Sequence, residues 1–182
     1  MIIGLTGYAQ SGKDTVANIL VENYGFTRVA FADKIRELLY EMNPKIIVGY
    51  DNHTTVQLMV DHDGWDVAKQ NPDVRAMLQN IGVGARKVFG EEFWIAKALQ
   101  GRDWSIPTVI TDVRFENEAR LLKKWSPEDT QLWRIKRLGI GAVNSHVSEK
   151  EMDGYPVDQI FVNNGTIADL EVLIKIRMNG LK

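Results

Sequence analysis

Apolar positions change period several times along the chain, and the changes mark out alternating strands and helices. Residues 2–6 form a short apolar run ending at Gly7, which predicts a buried strand. From residue 14 to 24, Val16, Ala17, Ile19, Leu20 and Tyr24 recur at helical spacing before Gly25, a residue suited to end a helix. Residues 27–31 predict a second strand, and residues 33–42 a helix with Ile35, Leu38, Leu39 and Met42 on one face. A strand-helix-strand start implies a parallel sheet.

Between 43 and 72 the periodicity weakens. Asn43-Pro44, Asp51-Asn52, Asp61-His62-Asp63-Gly64 and Asn71-Pro72 break it into short ambiguous pieces, so a mobile insertion is expected there. Helical spacing returns at 74–83 and 91–99. Residues 107–112 are rich in β-branched side chains and predict a strand, 116–124 an amphipathic helix with Ala119, Leu121 and Leu122 inward, and 130–136 another strand. A polar segment, 137–156, carries Gly139, Gly141 and Gly154 as candidate hinges. A strand at 158–162, a turn at Asn163-Asn164-Gly165 and a helix at 167–178 follow. Five strands alternating with helices predict a doubly wound α/β domain spanning 1–182, with its ligands at the carboxyl ends of the strands.

Composition narrows the chemistry. The 182 residues, 45% apolar and 25% charged, suffice for one core. A net charge of −2 argues against a protein built to neutralise polymeric nucleic acid. The absence of Cys excludes disulfides, thiolate nucleophiles and Cys-ligated zinc. No apolar run approaches the roughly 18 residues of a membrane span, and the amino terminus reads as a strand rather than a signal peptide. A cytoplasmic location is expected.

The most informative stretch is Gly7-Tyr8-Ala9-Gln10-Ser11-Gly12-Lys13-Asp14-Thr15, placed between the first strand and the first helix. Gly7 and Gly12 let consecutive N–H groups turn inward, and the helix start adds its positive end, so the loop suits a polyphosphate. Lys13 is positioned by the motif to reach the β- and γ-phosphates. The usual hydroxyl after the lysine is replaced by Asp14, itself a hard-oxygen ligand for Mg²⁺, with Thr15 next to contact an α-phosphate. The alternative is a plain strand-to-helix turn with a favourable first-turn acid.

With Gly-Lys-Asp-Thr in place, the sequence resembles the P-loop nucleoside monophosphate kinases, and most of all the bacteriophage deoxynucleoside monophosphate kinases. Further elements carry the likeness in the same order: Leu78-Gln79-Asn80-Ile81-Gly82, an aromatic at Trp94, Asp112-Val113-Arg114 with the acidic Glu116-Asn117-Glu118, Arg137-Leu138-Gly139, His146-Val147-Ser148-Glu149, and Asn163-Asn164-Gly165. They cover residues 2 to about 175, except 43–72. The resemblance implies ATP and Mg²⁺ as cofactors, a helical acceptor-binding insertion at 43–99 and a lid at 137–156. It implies adenine contacts from Asn163, Asn164 and Gly165.

Phosphoryl transfer needs two anions aligned and their charge offset by cations. Arg114, after the strand-end Asp112, is expected to face the acceptor phosphate, with Asp112 either holding Mg²⁺ through water or orienting Arg114. Arg137, with Arg134 and Lys136 as alternatives, is the lid cation. Lys34, Arg36, Arg75, Gln79 and Arg86 are acceptor-side candidates, and His146 a phosphate or acceptor contact. Trp94, Phe93 and Phe115 fit either base stacking or core packing. His53 and His62 read as solvated residues of the insertion.

The expected activity is transfer of the ATP γ-phosphate to a deoxynucleoside 5′-monophosphate, in the host cytoplasm if phage-encoded; a homodimer is left open. Two alternatives remain: a kinase of a non-nucleotide acceptor, like the dephospho-coenzyme A kinases, or a nucleotide-binding switch without turnover. Asp14 weighs against the first, and the lack of Asn-Lys-x-Asp against a GTPase switch.

Overall fold

The structure is a computed structural model that describes residues 1–49, 52–142 and 150–181. The chain divides into two compact units, Met1–Ala30 with Gly101–Lys182, and Phe31–Gln100. Among the described residues no helix is long and apolar enough to cross a membrane.

The first unit is built on five parallel strands: β1 (Ile2–Thr6), β2 (Thr27–Val29), β5 (Thr108–Ile110), β6 (Thr130–Lys136) and β7 (Gln159–Val162), in the order β2-β5-β1-β6-β7. All five strands expected from the pattern are present, and the α/β doubly wound class holds. Central β1 is buried at every residue, as a parallel strand covered on both faces must be. Ile3 and Leu5 pack with Val16, Ala17 and Leu20 of α1 (Lys13–Tyr24) and with Leu170 and Ile174 of α7 (Ile167–Asn179). Leu122 of α6 (Glu116–Trp125) lies on the opposite face, where Gly4 leaves room for Leu132, Val113 and Leu122. Trp133, fully buried, meets Phe161 edge-on at 5.1 Å. Because β1 is central, its carboxyl end delivers the glycine-rich loop to the middle of the sheet edge.

The second unit corrects the expectation for 43–72. Breaker clusters predict only short pieces; the structure has an antiparallel pair, β3 (Lys45–Val48) with β4 (Asn52–Thr55), then α3 (Val56–Ala68). Ile46, Ile47 and Val48 supply the β-branched strand, and Thr55 caps α3 by accepting from the Leu58 amide. Gly64, at φ 77°, kinks α3 inside the charged cluster that masks its period. Asn71 accepts from the Asp73 and Val74 amides at the start of α4 (Pro72–Phe89), with Pro72 in the first turn. Leu39 of α2 (Phe31–Met42), Ile46, Val56 and Val74 form the core of this unit, to which α5 (Phe93–Leu99) also belongs. Phe31, expected to end a strand, instead opens α2.

Candidate functional site

The phosphate loop is closed by backbone constraints that only its own residues meet. Gly7 has φ 136°, and a Cβ there would lie 2.3 Å from the Ile135 carbonyl of β6. Gly12 has φ 105°, and a Cβ would lie 2.2 Å from Asn163 Nδ2. Any side chain at either position is both strained and obstructed. Gln10 also takes a positive φ, 63°. Gly12 caps α1 with no side-chain hydrogen bond, which leaves the first-turn amides of the helix to an anion.

Lys13 folds back over this loop, its Nζ donating to the Gly7 carbonyl at 2.8 Å and the Tyr8 carbonyl at 2.7 Å. The ammonium is thereby stationed at the loop's rim. Ser11 is 1% exposed, and its hydroxyl finds no partner among the described residues. A buried unpaired hydroxyl under an anion-binding loop is a position that a phosphate oxygen would satisfy. Ala9 lines the same hollow, and Thr15 follows in the first turn of α1.

The loop after β7 reaches two other loops. Asn163 Nδ2 donates to the Ser11 carbonyl at 2.9 Å, and Asn164 Oδ1 accepts the Leu138 amide at 2.8 Å. Gly165 lies against Asp169, whose carboxylate accepts the Thr166 amide and hydroxyl at the start of α7. The turn expected at Asn163-Asn164-Gly165 therefore joins the phosphate loop to the segment that leaves β6.

A cleft of about 380 Å³ opens beside the loop. Thr6, Gly7, Tyr8, Ala9 and Ser11 form one side, Val113 and Arg114 another, and Arg134 to Arg137, Ile140, Met152 and Asp153 the rest. Arg114, Arg134, Lys136 and Arg137 give this wall strong positive charge, as a site for phosphates requires. The structure thus gathers Gly7, Ala9, Ser11, Arg114 and Arg137 around one cavity.

Arg114 owes its place to a residue the sequence does not advertise. Glu118 is 5% exposed, and its Oε2 accepts the amides of Arg114 and Phe115 at 2.8 and 3.0 Å. It closes the amino end of α6 from inside the helix. The Ser/Thr half of a capping box is absent, which is why the signal is easy to miss. Asp112 is 9% exposed at the end of β5, one residue before Val113, whose amide bonds the Leu5 carbonyl of β1 at 3.0 Å.

Of the three candidate lid cations, Arg134 has a different task. Its guanidinium donates to the carbonyls of Met152 and Tyr155, the latter at 2.8 Å. Glu151 accepts the Glu116 amide at 3.0 Å, and Tyr8 donates its hydroxyl to Asp153 at 2.7 Å. Four hydrogen bonds thus hold 151–155 against the rest of the first unit. Arg137 and Lys136 are exposed at the cleft. His146, Ser148 and Glu149 lie outside the described residues.

Asp14 sits in the first turn of α1 with its side chain 83% exposed, and its carboxylate is 3.8 Å from the Arg28 guanidinium on β2. Arg28 was not expected near the loop; β2 brings it there. Among the described residues no group of three or more His, Cys, Asp or Glu gathers as for a metal. Mg²⁺ characteristically takes one or two carboxylates and completes its shell with substrate phosphates and water. Asp14 and Asp112 are hard-oxygen side chains of the unit that carries the loop.

Of the expected acceptor residues, Lys34, Arg36, Arg75, Gln79, Arg86 and Trp94 belong to the second unit. Lys34 pairs with Glu37 at 2.5 Å and Arg36 with Asp33 at 2.9 Å, each on its own helix face. Arg75 is exposed on α4, while Gln79 and Arg86 are half-buried on the same helix. Trp94 is 5% exposed and donates its indole N–H to the Gly82 carbonyl at 2.9 Å, with Phe93 edge-on at 4.9 Å. Of the two roles open to Trp94, the structure has it packing α5 on α4, with its ring covered rather than offered to a base. His62 lies exposed beside Asp63, with 2.7 Å between Nδ1 and Oδ1.

No family model matches the chain. Among solved structures, it aligns over its full length and 97% of the other chain with a protein of Chloroflexus aurantiacus J-10-fl described provisionally as a kinase, at 12% identity and a TM-score of 0.43, a likeness too loose to carry argument. Among curated proteins, it is 31% identical over 186 residues to a protein of Acanthamoeba polyphaga mimivirus whose name assigns it provisionally to the deoxynucleotide monophosphate kinases. That match covers 93% of this chain and 91% of the relative. With a glycine-rich phosphate loop at the head of a five-stranded parallel sheet and this identity along nearly both chains, the protein belongs to the deoxynucleotide monophosphate kinase family.

Proposed function

We propose that the protein transfers the γ-phosphate of ATP to a deoxynucleoside 5′-monophosphate, giving ADP and the deoxynucleoside diphosphate. The observation that carries this reading is the union of the Lys13 loop with a cleft walled by Arg114, Lys136 and Arg137. A cavity for one phosphate chain needs fewer cations than a cavity in which a second phosphate must approach the first.

In this reading the amides of the loop and of the first turn of α1 hold the β-phosphate, and Lys13 leaves the Gly7 and Tyr8 carbonyls to follow the charge on the transferring group. Arg114, fixed through Glu118, holds the acceptor phosphate, and Arg137 closes over the phosphoryl group. Asn163, Asn164 and Gly165 border the adenine. Asp14 and Asp112 would hold Mg²⁺, which would supply charge neutralisation for the phosphates. Within the second unit, Lys34, Arg36, Arg75, Gln79 and Arg86 are the residues proposed for acceptor binding.

The test is a coupled ADP-release screen over the four common deoxynucleoside monophosphates and their ribonucleotide counterparts. ADP formation that depends on a deoxynucleotide and on Mg²⁺, and that is lost in Lys13→Ala, supports the reading. Folded wild-type protein without turnover on any deoxynucleotide ends it, and equal use of ribonucleotides moves the assignment to a general monophosphate kinase.

A further inference from the structure

Asp153 is an anomaly in its surroundings. Among the described residues, the cleft lining holds four cations and one carboxylate, and that carboxylate repels the phosphates the cations attract. Its backbone has no freedom to withdraw, because Arg134 holds the carbonyls of Met152 and Tyr155 on either side. Glu151 is tied to the Glu116 amide, and Met152 is buried. With the main chain pinned, only side-chain torsion decides where the carboxylate points. The Tyr8 hydroxyl, presented by the phosphate loop itself, holds it at 2.7 Å.

We infer that Tyr8 is a positioning residue that keeps the Asp153 carboxylate turned away from Lys136 and Arg137, leaving those two exposed cations to the phosphates of the substrates. Released from Tyr8, Asp153 becomes an internal competitor for the same cations. The inference rests on the phosphate-binding part of the kinase reading, and not on the identity of the acceptor.

The experiment is a calorimetric titration of wild type, Tyr8→Phe, Asp153→Asn and the double variant with inorganic tripolyphosphate, at low and high salt. Melting curves confirm that each variant is folded. Tyr8→Phe is expected to weaken tripolyphosphate binding roughly three- to tenfold at low salt, the scale of one partly solvated unit charge. The loss should shrink at high salt. Asp153→Asn should bind at least as well as wild type, and adding it to Tyr8→Phe should restore the affinity. A structural tie between loop and segment makes the opposite prediction: both single variants weaken and the double is no better than Tyr8→Phe. That result overturns the inference, as does absence of wild-type binding. If the rescue is seen while the ADP-release screen stays silent, the kinase reading falls and the role of Tyr8 stands.

Discussion

The Asn163 side chain donates to the Ser11 carbonyl at 2.9 Å and sits where a Cβ on Gly12 would have to go. One contact thus supports the phosphate loop and excludes any larger residue from its turn. Gly12→Ala is expected to weaken ADP binding by roughly tenfold or more, from ~1–3 kcal/mol of backbone strain alone. Asn163→Ala removes one hydrogen bond and should cost only about 0.5–1.5 kcal/mol. Combining the two relieves the clash but not the positive φ, so the double variant should remain weak in an ADP titration. Full recovery would show that the clash alone enforces glycine.

Asp14 and Arg28 form an exposed pair, 3.8 Å apart, of a type that contributes little to stability. Asp14→Ala should therefore leave the melting temperature nearly unchanged while raising the Mg²⁺ concentration needed for half-maximal turnover. Asp14→Ser should retain part of the metal dependence, since a hydroxyl is also an oxygen ligand. A large drop in melting temperature with an unchanged Mg²⁺ requirement would assign Asp14 to the fold instead.

Trp94 gives a case in which activity and stability should separate the other way. Trp94→Phe keeps the apolar ring but leaves the Gly82 carbonyl without its indole donor, which should destabilise the protein by about 1 kcal/mol. The KM for the acceptor should not change. A raised KM with an unchanged melting curve would return Trp94 to base stacking.

The strand pattern was legible because parallel strands buried on both faces and helices buried on one write different periods into the sequence. Gly7, Gly12 and Lys13 were legible because a phosphate loop is local, its parts contiguous in the chain. The β3–β4 pair was not, since Asp51-Asn52 signals a break without saying that Lys45–Val48 and Asn52–Thr55 pair across it. Tyr8 with Asp153 is harder still: 145 residues separate them, and no period or motif relates positions so far apart. Trp94 was ambiguous for a physical reason, because an aromatic at helical spacing satisfies core and stacking roles equally until its exposure is known.

The start of α7 carries a pH-dependent contribution. Asp169 accepts the Thr166 amide and hydroxyl, and these two bonds, the amide first, hold its carboxyl below the usual carboxylate range. A lowered folded-state value means the contribution is present in full above the ordinary carboxylate pKa and is lost as pH falls through the folded value. Asp169→Asn should thus melt earlier than wild type at pH 7, and the gap should narrow below about pH 4. A gap independent of pH would point to shape rather than charge.

The contact between Asn163 and Ser11 spans 152 residues of chain, and β1 acquires its two sheet neighbours only from β5 and β6. On the ribosome, the residues of the phosphate loop emerge early but lack the support that shapes them until the last strand has followed. A nascent chain should accordingly gain nucleotide affinity late, in one step with the docking of β7, and a stalled chain ending before Gln159 should carry the whole motif and hold no nucleotide.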